Sequence, residues 1–324
     1  MSLEQIKKIA YLFGAGATHA ELTSLDQNLN PEKWGLRIGD VSSRVIEKAR
    51  EDKEYLKDVA MVSATGGSLN IELLISLIEN SKINGWAYKT SRLKELVEKD
   101  IKRILTAPRM GRFYLHKALF EFHQHKKTKT KPKLIGLISL NYDDVVDRAY
   151  AAMFGENPDY CLSLEADVSS SKNIPLLKLH GSFNWESQEI RGRKRKIEII
   201  PLGASKNYLH PPYGFIWNRA LEVLIECDTL RVVGCSLSPN DSHLIDLLFK
   251  AHLERTKAFD IEIIDFDLVG DEIGDNYGFF PQIKTWKQIV PDLKPLNPFR
   301  TWLKYESGTM LGKAMRNTKY LKKV

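Results

Sequence analysis

"YLFGAGATHAEL", residues 11–22, sets two glycines and three alanines directly after an apolar run that starts at Ile9. A β-strand that ends in small residues and opens into a helix leaves backbone N–H groups unpaired at the helix start, where the helix dipole favours an anion. Gly14 and Gly16 fit the turn of such a phosphate loop, and equally a tight strand-to-helix corner that holds no ligand. The ordinary dinucleotide fingerprint is not met: its third small position falls on His19, and position 34, where an acid would meet a ribose, is Trp. The loop suggests a nucleotide but not a standard dehydrogenase.

Further apolar, β-leaning runs are "LIGLISL" at 134–140, "PLLKLHGS" at 175–182, "TLRVVGCSL" at 229–237 and "FDIEIIDFD" at 259–267. Helical patterns or polar turns separate them. Strands alternating with helices predict an α/β fold, a Rossmann-like doubly wound parallel sheet covered on both faces. Such sheets bind ligands beyond the carboxyl ends of their strands, and the polar residues of this chain cluster there.

Composition narrows the class. At 324 residues the chain is long for one domain and short for two large ones, which favours one core domain with insertions. A hydrophobic fraction of 43% is ordinary for a globular protein. No apolar run nears the ~20 residues of a membrane span, and the N-terminus does not read as a signal peptide, so a cytoplasmic protein with no membrane partner is expected. Cys161, Cys227 and Cys235 form no C-x-x-C pair and indicate neither a disulfide framework nor a structural metal site. The net charge of +7 is compatible with an anionic partner.

Residues 28–132 read as a helical insertion, in which Leu73, Leu74, Leu77 and Ile78 fit one buried stripe. A second insertion at about 185–212 reads as two short strands joined by a basic turn, Arg191 to Lys196, either a solvated tip or a nucleic-acid contact. Residues 1–296 thus form the main domain, followed by a basic amphipathic tail, 297–324. The tail's apolar stripe from Trp302 and Leu303 through Met310 to Leu321 favours docking over phosphate binding, although Gly308 and Gly312 weaken a single helix.

Three strand ends carry candidate chemistry. "SLNYDD" places Asn141, Asp143 and Asp144 at a helix start, where one of them is expected to cap free N–H groups. "KLHGS" places His180 beside a glycine, and "VVGCSLSPND" makes a second small-residue turn able to admit a sugar or phosphate.

The ordered set "GAGAT", "SLNYD", "KLHGS", "VVGCSL", each after a strand, resembles the sirtuin family, most closely the sirtuin-like proteins of prokaryotic anti-phage defence. The resemblance covers roughly residues 8–24 and 134–270, and "NIELLISLIEN" resembles a helix common in those defence proteins. It implies that Gly14, Ala15, Gly16, Ala17 and Thr18 form the loop at the NAD pyrophosphate. Asn141 then lies beside the nicotinamide ribose, and Asp143 bonds the nicotinamide amide. His180 is the base on the ribose hydroxyls, while Gly234, Ser236 and Asp265 lie near the adenosine ribose.

Departures shift the expected activity. Deacylating sirtuins carry a four-cysteine zinc ribbon and a G-I-P-D-F-R segment. This chain has neither, and its nearest substitute is "GLRIGD", whose Arg37 is placed at the cofactor. The expected reaction is NAD cleavage to ADP-ribose and nicotinamide without a metal, by the NAD-depleting effector of a defence system. Restraint is expected from homo-oligomer assembly or from a partner encoded nearby, a translocase-type ATPase or a nuclease. Two rivals stand: an NAD-dependent deacylase or ADP-ribosyltransferase, and a nucleotide-sensing module that scaffolds a partner.

Overall fold

β1 (Lys8–Phe13) shows how the two faces of the fold are built. Ile9, Tyr11 and Phe13 fall in one hydrophobic core, Ala10 and Leu12 in another, and all five are buried. Side chains of a strand alternate between faces, so a strand apolar at consecutive positions must be covered on both. A computed structural model supplies both covers; it describes residues 6–25, 31–36, 38–52, 71–81, 86–105, 113–124, 132–163, 174–185, 188–190, 193–195, 208–237, 241–265, 272–285, 298–311 and 319.

After β1 come α1 (Ala15–Leu25), α2 (Pro31–Trp34), α3 (Ile38–Glu51), α4 (Ile71–Ser81), α5 (Trp86–Leu105) and α6 (Tyr114–Gln124). Next are β2 (Lys133–Ser139), α7 (Val145–Phe154), β3 (Leu176–Lys178), β4 (Gln188–Ile190), β5 (Arg193–Arg195) and α8 (Tyr213–Glu226). The chain then runs through β6 (Thr229–Val233), α9 (Ser242–Glu254), β7 (Asp260–Ile264), α10 (Glu272–Asn276), β8 (Gln282–Thr285) and α11 (Pro298–Leu311).

Six strands form one sheet in the order β3-β2-β1-β6-β7-β8, every pairing parallel. The chain winds outward from β1 to β3, then crosses to β6 and winds outward the other way. The reversal between β1 and β6 is where a doubly wound sheet opens a crevice. One face is covered by α1, α6, α7 and α11, the other by α8 and α9. Helices α3, α4 and α5 pack on one another and extend the first core.

Several details depart from the sequence reading. In α4 the buried stripe is Ile71, Leu74, Ile75 and Ile78, while Leu73 and Leu77 are 39% and 55% exposed. Two apolar stripes overlap on this helix, and the one with β-branched Ile71 and Ile75 faces the core. β4 and β5 pair with Ile190 opposite Arg193, so Arg193, Lys194 and Arg195 belong to a strand rather than to the basic turn. β8 lies beyond Asp267, where the sequence pattern loosens; its residues alternate between exposed and half-buried at the sheet edge.

In the tail, α11 runs unbroken through Gly308, because Phe299, Trp302 and Leu303 are buried in the first core and tertiary packing outweighs the glycine's low helix propensity. Beneath it, Arg231 donates to Glu262 at 2.8 Å, to the Tyr11 hydroxyl at 3.0 Å and to Glu306 of α11, with the guanidinium 5.0 Å from the Trp302 ring centre. Met315 and Leu321 lie outside the described residues. Cys161, Cys227 and Cys235 are buried, and desolvation pushes each thiol up to about 12. Among the described residues, no helix is long and apolar enough to cross a membrane.

The switch point itself is a backbone contact. Gly14 donates its N–H to Val233 at 3.0 Å and Gly16 donates to Gly234 at 2.9 Å. A Cβ on Gly14 would collide with the Gly234 carbonyl oxygen, and one on Gly16 would stand 2.6 Å from the Gly234 Cα. Gly234 has φ +62°, the left-handed region that other residues enter at a cost. Gly234→Ala is therefore expected to destabilise the fold by about 2–4 kcal/mol, the sum of backbone strain and overpacking, read as a lowered urea midpoint. An unchanged midpoint would mean that the two loops do not need this contact.

Candidate functional site

The carboxyl ends of β1, β2, β3, β6 and β7 deliver Gly14, Asn141, His180, Gly234 and Asp265 to one edge of the sheet. The β1 and β2 ends are joined by side chains that the strand pairing brings together. Asn141 Nδ2 donates to the Gly14 carbonyl at 2.9 Å and to the Thr18 hydroxyl at 3.0 Å, and that hydroxyl donates to Asp143 Oδ2 at 2.8 Å. Asp143 Oδ1 accepts the Val145 N–H at 3.0 Å. The cap of α7 thus comes from Asp143, while Asp144, at the N-cap position, pairs with Arg148 at 2.7 Å.

This chain of bonds assigns each atom. Both Nδ2 hydrogens of Asn141 hold the glycine loop, so what Asn141 can offer a substrate is the acceptor Oδ1. Asp143 is buried with each oxygen already accepting one bond, and a nicotinamide amide would have to share them. Gly16 and Ala17 also use their N–H groups within the protein, on Gly234 and Gly14. The glycines that raised the question of a ligand are required first by the neighbouring backbone.

A buried cation lies under this layer. Lys178, the last residue of β3, is fully buried; its ammonium donates to the Asp143 carbonyl and to Asp147 Oδ2 at 3.0 Å. Asp147 also accepts from the Tyr160 hydroxyl at 2.6 Å. The lysine ties β3 to the start of α7 and fixes the turn that carries His180 two residues on. In that turn Gly181 donates to the Lys178 carbonyl at 3.1 Å, and Trp217 of α8 donates from Nε1 to the Leu179 carbonyl at 3.0 Å.

His180 is buried, with the Tyr142 and Tyr208 ring centres 6.0 and 6.4 Å from its own. Its Nε2 stands 3.6 Å from Asp241 Oδ2. Desolvation raises the Tyr142 and Tyr208 phenols well above their ordinary value, with Glu72 of α4 and Asp241 adding negative potential to both. Glu72 brings the helical insertion to bear on the site.

Ser236 is exposed and Asp265 partly so. Gly234 N–H donates to the Ile264 carbonyl at 2.8 Å, which brings the β6 turn beside Asp265. Arg37 lies outside the described residues. Lys178, Asp147, Tyr142, Tyr208 and Asp241 are additions to the sequence reading. The signal for Lys178 was a charge inside an apolar strand, and for Asp241 an acid in "SPND" ahead of a helical run.

No protein-family model and no curated protein matches this chain. Among the solved structures similar to it are Sir2 proteins. One bound to a propionylated peptide is 11% identical with a TM-score of 0.41, the match covering 94% of each chain. Another, bound to an acetylated peptide, is 11% identical with a TM-score of 0.40 over 94% of each. A Sir2 homologue in complex with NAD is 13% identical with a TM-score of 0.36, over 92% of this chain and 91% of that one.

The site carries a built-in pH dependence through Asp143. Burial raises its pKa, with the Lys178 cation the largest opposing influence, ahead of the bonds from Val145 and Thr18. A carboxyl whose pKa is higher folded than unfolded stabilises the fold while protonated, and that contribution is lost as pH rises through the folded value. Asp143→Asn removes the titration. Its urea midpoint relative to the unsubstituted protein is expected to increase from pH 4 to pH 7; a difference independent of pH would show that the carboxylate is not held at a cost.

Proposed function

We propose that this chain hydrolyses NAD at the nicotinamide–ribose bond, giving ADP-ribose and nicotinamide, as the NAD-depleting effector of a bacterial anti-phage defence system. The observation that carries the activity is the placement of Asn141 and His180 at one edge of the sheet, Asn141 held by its bonds to Gly14 and Thr18 and His180 buried with Nε2 3.6 Å from Asp241. The defence role rests on the resemblance of the ordered motifs to sirtuin-like defence proteins.

The chemistry suits these residues. When the bond breaks, its electron pair passes to the pyridinium nitrogen, which leaves as neutral nicotinamide and needs no acid. Positive charge develops at the anomeric carbon, as in glycoside cleavage. His180 accepts a proton from a ribose hydroxyl, which increases electron density on the ring as the charge forms. Asn141 Oδ1 orients the attacking water, which loses one proton to solvent as its oxygen bonds the anomeric carbon, and His180 then returns its proton to the ribose oxygen. Gly14 to Thr18 face the pyrophosphate, while Gly234, Ser236 and Asp265 face the adenosine ribose. The Asn141–Thr18–Asp143 bonds support such preorganisation, because polar groups fixed before substrate arrives need not reorient during the reaction.

Hydrolysis without a protein acceptor is preferred to deacylation because three cysteines cannot build a four-cysteine zinc ribbon. Self-association is part of the same proposal, supported by the exposed Leu73 and Leu77 on α4 and Phe249 and Leu253 on α9.

Purified protein given NAD alone is expected to release nicotinamide, and His180→Ala to slow that release by about 10²–10⁴-fold, the usual worth of a general base, with its circular dichroism unchanged. Release only when an acylated peptide is added would assign the chain to deacylation. Unchanged turnover in folded His180→Ala would remove the base from the mechanism.

A further inference from the structure

Asp241 opens α9 without capping it. Its backbone carbonyl accepts the Leu244 and Ile245 N–H groups at 3.0 and 3.2 Å, yet its carboxylate makes no capping bond. An aspartate at a helix N-cap ordinarily turns its side chain onto the first free N–H groups. Here the carboxylate stands with Oδ2 3.6 Å from His180 Nε2, and both residues are buried. A residue suited to finishing its own helix is turned instead toward the histidine that leaves the end of β3, on the far side of β1 and β2 in the sheet.

We propose that Asp241 is the positioning residue of His180: its carboxylate sets the orientation of the imidazole in the crevice and stabilises the imidazolium formed when the ring takes a ribose hydroxyl proton. This deepens the reading of the site as an NAD-cleaving centre and rests on it. In the step concerned the hydroxyl O–H bond breaks, an N–H bond forms on the ring, and the electron pair stays on the ribose oxygen. The imidazole gains one positive charge, and Asp241 balances that charge without taking the proton. An anion this close to a buried imidazole favours its charged form, since attraction between charges is strong where water is scarce. A separation slightly beyond hydrogen-bond length is common in a site without substrate and tightens in the complex.

The surroundings of His180 leave this coupling legible. Tyr142 from the β2–α7 connection and Tyr208 ahead of α8 flank the ring, and His243 of α9 packs on Tyr208 with centroids 4.3 Å apart. Both flanking phenols have raised pKa values and stay neutral across the working range. Glu72, Tyr208, Asp241 and Tyr213 act on Tyr142, and Asp241 and Glu72 act on Tyr208, while Asp241 also stands 3.6 Å from the imidazole itself.

Two measurements on the full chain test the proposal: the NMR titration of the His180 ring without NAD, and the pH profile of nicotinamide release. Asp241→Asn keeps the side-chain size and removes the charge. It is expected to move the His180 titration to lower pH by about one unit, to shift the acid limb of kcat with it, and to lower the kcat plateau about tenfold or more with KM little changed. Asp241→Glu is expected to restore the titration toward that of the unsubstituted protein. If Asp241→Asn fails to fold, Asp241→Ser retains a capping side chain and is read in the same way. An unmoved His180 titration in a folded variant overturns the proposal. Absence of nicotinamide release from the unsubstituted protein overturns instead the NAD-cleaving reading, and the titration distinguishes the two failures because it needs no substrate.

Discussion

The close approach of two backbones, the β1–α1 loop and the turn after β6, is the constraint on which the site depends. Glycine at 14, 16 and 234 lets the loops touch, and the touching fixes how the ends of β1 and β6 meet at the switch point. From there Asn141 reaches across to the Gly14 carbonyl and Thr18 reaches back to Asp143, so β1 and β2 are locked at their ends as well as along their ladder. Widening the contact by one methyl group at any of the three positions would disturb the loop and the polar network together, since they share the Gly14 to Thr18 segment.

Among the charges buried beneath the edge are the cations of Lys178 and Arg231. Lys178 sits between the Asp143 carbonyl and Asp147, and Arg231 sits among Glu262, Tyr11 and Glu306. Buried ion pairs recover their desolvation cost only when nearly every donor finds a partner. Both clusters draw their partners from different elements: Lys178 joins β3 to the start of α7, and Arg231 joins β6 to β1, β7 and α11. Their effect is to specify which elements may pack together. The C-terminal helix is thereby registered on the sheet by a charge as well as by Trp302 and Phe299.

How much of this was legible in the sequence depends on where each signal resides. The parallel sheet was readable because β1, β2, β6 and β7 each carry apolar residues on both faces, and the site edge because Asn141, His180 and Gly234 each come just after a β-leaning run. β8 was not, since "QIKT" at a sheet edge looks like a loop once only one face is covered. The α4 stripe was misassigned because Leu73 and Leu77 are as apolar as Ile71 and Ile75, and the choice between them is made by what lies opposite. Lys178 was overlooked because its partners come from residues 143 and 147, far away in sequence. The purpose of Gly14 and Gly16 could not be read from their own loop, because the atoms that require them belong to residues 234 and 235.

The three buried cysteines have a chemical consequence of their own. Thiolate is the form that oxidants and electrophiles attack, and a thiol held at about 12 is ionised in about one molecule in 10⁵ at neutral pH. Cys235, next to Gly234 in the turn at the crevice, is shielded in the same way, with its carbonyl accepting the Tyr277 hydroxyl at 2.9 Å. Burial and the raised pKa together disfavour thiolate chemistry at all three positions in the folded protein. A single cysteine placed on its surface would be the one thiol that a maleimide reaches, which makes the native background silent for labelling and turns any modification of Cys235 into a report that the β6 turn has opened.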